Sequence, residues 1–294
     1  MRNYLAFLLL ILTAHMAMNQ SLDDYLEVAL QNNPDLKAAY FSFEAQLEKV
    51  EQVKFLANPT LGFGYFISPI ETRLGSQQTK ISLSQMFPWF GTLSAKKDVA
   101  SLMAASQFEQ FRNRQALLAF EVKTAYYNYS EALELLEIHR QNMSIMKSHK
   151  NMAKIAYSNG KSKNTEVLDA NLMLDEITSN IHILDQRLDL LRPVFNRLLN
   201  RSDSLEINIT NLVAPTDFKI NKNSDSLMSH HPKMAALEQQ MAAAIIDENV
   251  ARKNGLPQIG VGIDYMIIQP LDGSTVKNNG KDALMPMVSL SLPI

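Results

Sequence analysis

The chain has 294 residues, 46% of them hydrophobic, a formal net charge of −2 and no cysteine. That balance offers no broad electrostatic attraction to nucleic acid. The missing thiol excludes disulfide frameworks, thiolate nucleophiles and Cys-ligated zinc, leaving only His, carboxylate or Met metal sites open.

Residues 1–20 join Arg2 to the apolar run Tyr4–Ala14 and small residues around Ala14–Ala17, the layout of a secretory signal peptide with the mature chain starting near Met18–Ser21. The run falls short of the ~20 residues a spanning helix needs. Ser21–Leu30 reads as a short helix capped by Ser21, with Asp23 and Asp24 in its first turn. Asn32, Asn33 and Pro34 break it, and a second helix runs from Asp35 to Leu56 until Asn58 and Pro59 end it.

The period then changes from helical to alternating. In 60–67 the side chains of Leu61, Phe63, Tyr65 and Ile67 share one face and Thr60, Gly62 and Gly64 the other. In 80–85 Ile81 and Leu83 oppose Lys80, Ser82 and Ser84, so 60–86 reads as a β-hairpin with a loop over Ser68–Thr79. The aromatic cluster Phe87, Trp89, Phe90 follows, ending at Gly91.

From Thr92 to Asn159 there is neither Gly nor Pro, enough chain for one helix roughly 100 Å long. Leu118, Val122, Ala125, Tyr129, Ala132 and Leu136 step by four and three, the repeat of a helix packed lengthwise on others. Ser158, Asn159 and Gly160 supply a stop, and Ile177, Ile181, Leu184, Leu188, Leu191, Phe195 and Leu198 repeat the steps in a return helix over 165–199. The chain thus folds back as a helical hairpin whose tip lies around 157–165, and Pro193 must kink or interrupt the return helix. Leu205–Ile209 reads as a short strand and 211–225 as a polar connector.

Aligned on itself at an offset of 198, the chain places Pro34 on Pro232, Lys54 on Arg252, Pro59 on Pro257, Gly62 on Gly260 and Gly64 on Gly262. A first repeat over 21–210 is therefore followed by a second over 226–294, with a helix and a hairpin over 258–293. In that hairpin Ile259, Val261, Ile263, Val288 and Leu290 alternate with Gly260, Gly262, Asp264 and Ser289. The second copy stops before a second helical pair, so the chain reads as a fragment or a truncated product. The fold class is α+β: long antiparallel coiled-coil helices plus β-hairpins. Four strands cannot close a barrel around a lumen, since the smallest membrane barrels use about eight, so several chains must contribute and three would supply twelve strands.

The two-copy layout, Asn33-Pro34 and His231-Pro232 opening equivalent helices, Met86-Phe87-Pro88-Trp89-Phe90-Gly91, and Tyr157-Ser158-Asn159-Gly160 followed by Thr165-Glu166-Val167-Leu168-Asp169-Ala170 together resemble the TolC-type outer-membrane efflux duct family, including its heavy-metal efflux members. The resemblance implies a homotrimer with a shared transmembrane β-barrel in outer-membrane lipid and a periplasmic helical tunnel. It also implies partners in a periplasmic adaptor (a membrane fusion protein) and an inner-membrane pump, passive export of small molecules or metal ions, and no catalysis, cofactor or nucleic acid. On that reading Leu61, Phe63, Tyr65, Ile81, Leu83, Ile259, Val261, Ile263, Val288 and Leu290 face lipid, and Gly62, Gly64, Lys80, Ser82, Asp264 and Ser289 face the lumen. Phe87, Trp89 and Phe90 sit at the membrane interface, and Tyr157, Asn159, Gly160, Lys163 and Thr165 form an adaptor-docking tip.

Competing readings are plainer. The tip is then an ordinary turn, the aromatic cluster a soluble staple, and Lys80 and Asp264 lone solvated charges. His139, Met143, Met146 and His149 form a candidate soft-metal relay, but the first three continue the Leu136 stripe and read better as packing. His230-His231 reads as an exposed linker. The alternative for the whole chain is a periplasmic coiled-coil scaffold with no transport role. No phosphate loop, nucleophile elbow or H-E-x-x-H motif points to an enzyme.

Overall fold

The computed structural model describes residues 21–209, 231–273 and 275–292. The signal segment, the 211–225 connector and His230 lie outside them. Among the described residues, five helices and four strands follow in the order α1 (Leu22–Asn32), α2 (Pro34–Gln52), β1 (Thr60–Thr72), β2 (Gly75–Phe87), α3 (Thr92–Ser158), α4 (Asn164–Leu198), α5 (Pro232–Asn254), β3 (Gln258–Gln269) and β4 (Ala283–Ser291). They fall into two compact units, residues 21–39 with 111–209, and residues 40–110 with 231–292.

The first unit is a helical core. Ser21 caps α1 in a full capping box with Asp24. Asn33 then serves both sides of the break: its Oδ1 accepts the Leu36 N–H at 3.1 Å, and its Nδ2 donates to the Leu198 carbonyl at 3.0 Å. Pro34, with no N–H to satisfy, starts α2. Leu118, Val122, Tyr129, Ala132 and Leu136 of α3 are buried against Leu184, Leu188 and Phe195 of α4. Where α1 adds a third helix the seam widens, and Tyr126 joins it although the four-three series selects Ala125. Tyr25 stacks edge-on to Phe195 at 5.1 Å and lies 6.1 Å from Tyr126, with the Arg201 guanidinium 5.0 Å over its ring.

One expectation fails here and another is narrowed, each for an identifiable reason. Residues 205–209 form no strand: they are tied down by side chains, the Asn196 amide donating to the Asp203 and Leu205 carbonyls and the Tyr25 hydroxyl accepting the Asn208 N–H at 2.9 Å. Of the kink or interruption expected at Pro193, interruption does not occur: α4 runs on to Leu198 while Phe195 and Asn196 bury themselves beyond it, and tertiary packing outweighs the lost backbone hydrogen bond.

In the second unit small residues let helices approach closely. Ala95, Ala100, Ala104 and Ser106 of α3 are buried, as are Ala236, Ala243 and Val250 of α5, spaced by seven. Gln240 of α5 donates to Ser106 Oγ at 3.1 Å. His231 is no passive linker: its Nδ1 accepts the Lys233 N–H at 3.1 Å and caps α5 ahead of Pro232, a cap at the repeat-equivalent position to Asn33. α2 ends at Gln52, short of the expected Leu56.

The four strands make one antiparallel sheet in the order β1-β2-β3-β4. β1 and β2 extend well into the expected 68–79 loop and leave only Arg73 and Leu74 as their turn. Pro69 is accommodated because the register shifts between Tyr65 and Ile70, and β1 is an edge strand where a missing N–H breaks no ladder bond. The β3–β4 loop is fastened to that turn by the Gly280 N–H, which donates to the Leu74 carbonyl at 2.6 Å.

Candidate functional site

Register decides which side chains share a face of the sheet. Directly opposed residues run Leu61–Leu83–Ile263–Pro286 in one row and Phe63–Ile81–Tyr265–Leu284 in the next, with Val261 beside Val288 and Phe87–Ile259–Leu290 nearer the helices. Leu61, Phe63, Tyr65, Ile81, Leu83, Ile259, Val261, Ile263, Val288 and Leu290 all fall on this one face, and Tyr265 and Leu284 join it, whereas Ile67 lies where the β1–β2 register shifts. The face is open: Leu61 is 73% exposed, Phe63 75% and Val288 78%.

The opposite face carries Gly62–Ser82–Asp264–Met285, Gly64–Lys80–Met266–Ala283 and Met86–Gly260–Ser289. It is crowded. A Cβ on Gly62 would strike Ser82 Oγ, and one on Gly260 would strike both Ser289 Oγ and Met86 Sδ. Asp264 is 0% exposed and lies 2.6 Å from the Lys80 ammonium across the joint between β2 and β3. These are not lone solvated charges. Lys80 stands two residues along β2 from Asp264's direct partner Ser82, on the same face, and reaches it diagonally.

The sheet is therefore inside out by aqueous standards: its aliphatic and aromatic side chains face outward while a carboxylate is buried on the other side. Burying one large apolar side chain is worth roughly 1.5–3 kcal/mol, so leaving this whole face in water would forfeit on the order of 20 kcal/mol. A cover of matching polarity removes that deficit. Strands of 13, 13, 12 and 9 residues are long enough for the ~9–11 that cross a bilayer as a tilted β-strand. Among the described residues, no helix is long and apolar enough to cross a membrane.

At the helix-bearing end of the sheet Trp89 and Phe90 meet edge to face, 6.0 Å apart at 72°, and Phe90 is exposed. The Thr92 N–H donates to the Trp89 carbonyl as α3 begins. Sequence reasoning missed Phe55 and Leu56, which also stand exposed there. It had placed them in a helix, whereas the 53–59 segment leaves α2 and is held by Gln85 Nε2 on the Ala57 carbonyl at 2.7 Å. The turn-prone Asn58-Pro59 pair was the available signal.

The hairpin tip is a defined motif. The Lys161 N–H donates to the Ala156 carbonyl and the Gly160 N–H to the Tyr157 carbonyl, both at 2.9 Å, with Gly160 at φ +68°. This is a Schellman close, and the left-handed residue is the glycine that tolerates it. Tyr157, Asn159, Gly160, Lys163 and Thr165 are all exposed. Lys163 precedes α4 in extended conformation without a side-chain cap. Behind the tip, α3 leaves Ile138, Ile145 and Met152 exposed at seven-residue spacing, and α4 leaves Leu168, Leu172, Ile183 and Leu190 exposed. Each helix thus carries a second apolar stripe beside the one buried within the chain. His139, Met143 and Met146 are half-buried along the inner stripe and His149 is exposed; among the described residues no three His, Cys, Asp or Glu side chains gather as a metal site.

A family model described as outer membrane efflux protein matches residues 25–187. No curated protein matches the sequence. Solved structures share the fold at low identity. A membrane protein from Pseudomonas aeruginosa superposes with a TM-score of 0.68 at 17% identity, over 93% of this chain and 66% of that one. The outer membrane protein VceC of Vibrio cholerae gives 0.70 at 15%, over 93% and 68%. The open state of the Neisseria gonorrhoeae MtrE outer membrane channel gives 0.69 at 18%, over 93% and 63%. The chain spans about two thirds of the length of these structures.

Proposed function

The chain belongs to the outer membrane efflux protein family, and from that premise we propose that it forms part of the outer-membrane duct of a tripartite efflux system. The single observation that carries the reading is the inverted sheet: in register, the large exposed apolar residues share one face, interrupted only by Thr79 and Gln85 among its paired residues, while glycines, serines, methionines, Lys80 and the buried Asp264 share the other. Four such strands from each of three copies make a twelve-stranded barrel, with Leu61, Phe63, Tyr65, Ile81, Leu83, Ile259, Val261, Ile263, Val288 and Leu290 against lipid. Gly62, Gly64, Lys80, Ser82, Asp264 and Ser289 line the lumen.

Phe87, Trp89 and Phe90, with Phe55, sit at the lipid headgroup level, where amphipathic rings are favoured. The helices build the periplasmic tunnel, and their second apolar stripes pack against neighbouring helices of the trimer. The tip at Tyr157, Asn159, Gly160, Lys163 and Thr165 docks a periplasmic adaptor coupled to an inner-membrane pump. The duct supplies a path rather than a reaction: solute moves through it passively, driven by the pump, with no catalytic residue required.

Membrane fractionation tests this. A barrel protein sediments with outer membranes, resists carbonate and high salt, and needs detergent for release. Release by salt alone would favour a periplasmic scaffold instead.

A further inference from the structure

We propose that the tip is an electrostatic docking surface for a periplasmic protein whose contacting segment presents Asp and Glu side chains. This rests on the docking role assigned to the same tip above and adds the chemistry of its partner. Between Glu137 and Glu166 the chain has no acidic residue, yet it carries Arg140, Lys147, Lys150, Lys154, Lys161 and Lys163. Arg140 is committed to Asp185 at 3.6 Å. None of the five lysines has an ion-pair partner among the described residues.

Lys147, Lys150 and Lys154 stand at i, i+3 and i+7 of α3, which puts them along one side of the helix. Lys161 and Lys163 follow in the turn, on either side of Ser162. Lys147, Lys154, Lys161 and Lys163 are exposed and Lys150 is half-buried. The Schellman close at Gly160 holds the turn in one geometry, so the charges are presented without an ordering cost at that point.

The extent of the stripe selects a protein over a membrane surface. Lys147 lies about 16 Å back from the end of α3 at the standard helical rise, and charge is screened beyond about 8 Å at physiological salt. A flat anionic surface touching the turn would meet Lys161 and Lys163 and miss Lys147 and Lys150. A partner segment running along the flank of α3 meets all five.

The test places the photocrosslinker p-benzoylphenylalanine at Asn164, an exposed neighbour of the turn, in the full chain expressed in its own envelope, and maps any captured segment by mass spectrometry. The expected result is a periplasmic protein crosslinked through a segment rich in Asp and Glu. Capture should fall about tenfold in the triple variant Lys154→Glu, Lys161→Glu, Lys163→Glu. It should return when the captured acidic residues are changed to Lys.

Unchanged helical circular dichroism and thermal midpoint show that the triple variant folds, as exposed side chains that make no capping hydrogen bond lead one to expect. Capture of a segment without acidic residues, capture indifferent to charge reversal, or failure of the reciprocal swap each overturn the electrostatic proposal while leaving the docking role intact. Crosslinks to lipid alone overturn it in favour of a membrane contact. No crosslink from any tip position overturns the docking role as well.

Discussion

The helical core of the first unit and the sheet of the second follow opposite rules with the same side-chain alphabet. In the core, Tyr25, Leu118, Val122 and Phe195 are buried and the charges stand outside, as in Arg187 with Glu131 at 3.0 Å. In the sheet, Phe63, Ile263 and Val288 stand outside and Asp264 is inside. The difference teaches that burial within one chain is not the quantity being optimised. On the function proposed above, each region matches its side chains to the medium or partner that covers it, and the sheet's cover is lipid rather than water.

The comparison breaks most sharply at the core. Phe195→Ala removes a fully buried ring from a layer that closes on Tyr25 and Tyr126, and denaturant unfolding should register a loss of about 3–5 kcal/mol. On the sheet the instructive substitution is Ile263→Arg, on a strand flanked by Leu83 and Pro286. In a bilayer it should cost about 2–4 kcal/mol and lower the yield of membrane-inserted protein. On a water-facing sheet the same change stays within about 0.5 kcal/mol, so a silent Ile263→Arg would abolish the contrast.

Lys80→Met sharpens the other face. It strips the buried Asp264 of its cation and should cost about 1–3 kcal/mol in thermal or denaturant unfolding. Adding Asp264→Asn in the same chain should restore most of that, because the cost is an uncompensated charge rather than a lost contact.

The smallest effect is expected at the β3–β4 loop. Asp282 accepts from the Tyr265 hydroxyl and from the Ile268 N–H, which hold its carboxyl below the usual carboxylate range. Its contribution is therefore complete above the ordinary unfolded-state value and is lost as the pH falls through the lowered folded one. The protection factor of the Ile268 amide in hydrogen exchange, taken against the intrinsic rate at each pH, should stay high at neutral pH and fall only in acid. Asp282→Asn should show the lowered protection at every pH.

Much of this architecture was legible in the residue order. The four-three series in α3 and α4 predicted the helical seam because a seven-residue apolar repeat has one low-energy use, packing along another helix. Gly160 predicted the stop because few other residues take a positive φ without strain. The fixed offset between the repeats marked equivalent helix starts, and the structure shows the reason, since Asn33 and His231 both cap with a side chain ahead of a proline. Alternation in the strands assigned Leu61, Phe63, Ile81, Leu83, Ile259, Ile263 and Leu290 to one face, because within a regular register the two-residue period admits no third choice.

Other features depend on neighbours remote in sequence. Tyr126 enters the core only because α1 brings Tyr25 to it, and α4 continues through Pro193 because Phe195 and Asn196 are buried beyond the proline. Residues 205–209 stay irregular because Asn196 and Tyr25 take up the backbone groups a strand would have paired.

Periodicity alone determined the helical hairpin, the two-faced strands and the repeat, since local sterics and side-chain direction set those periods residue by residue. Tertiary structure alone decided that β2 pairs with β3, joining the two repeats in one sheet, and that Lys80 meets Asp264 across that joint. A strand pairing between segments about 180 residues apart is chosen by the energy of the whole sheet. No local pattern encodes which edge will be its partner.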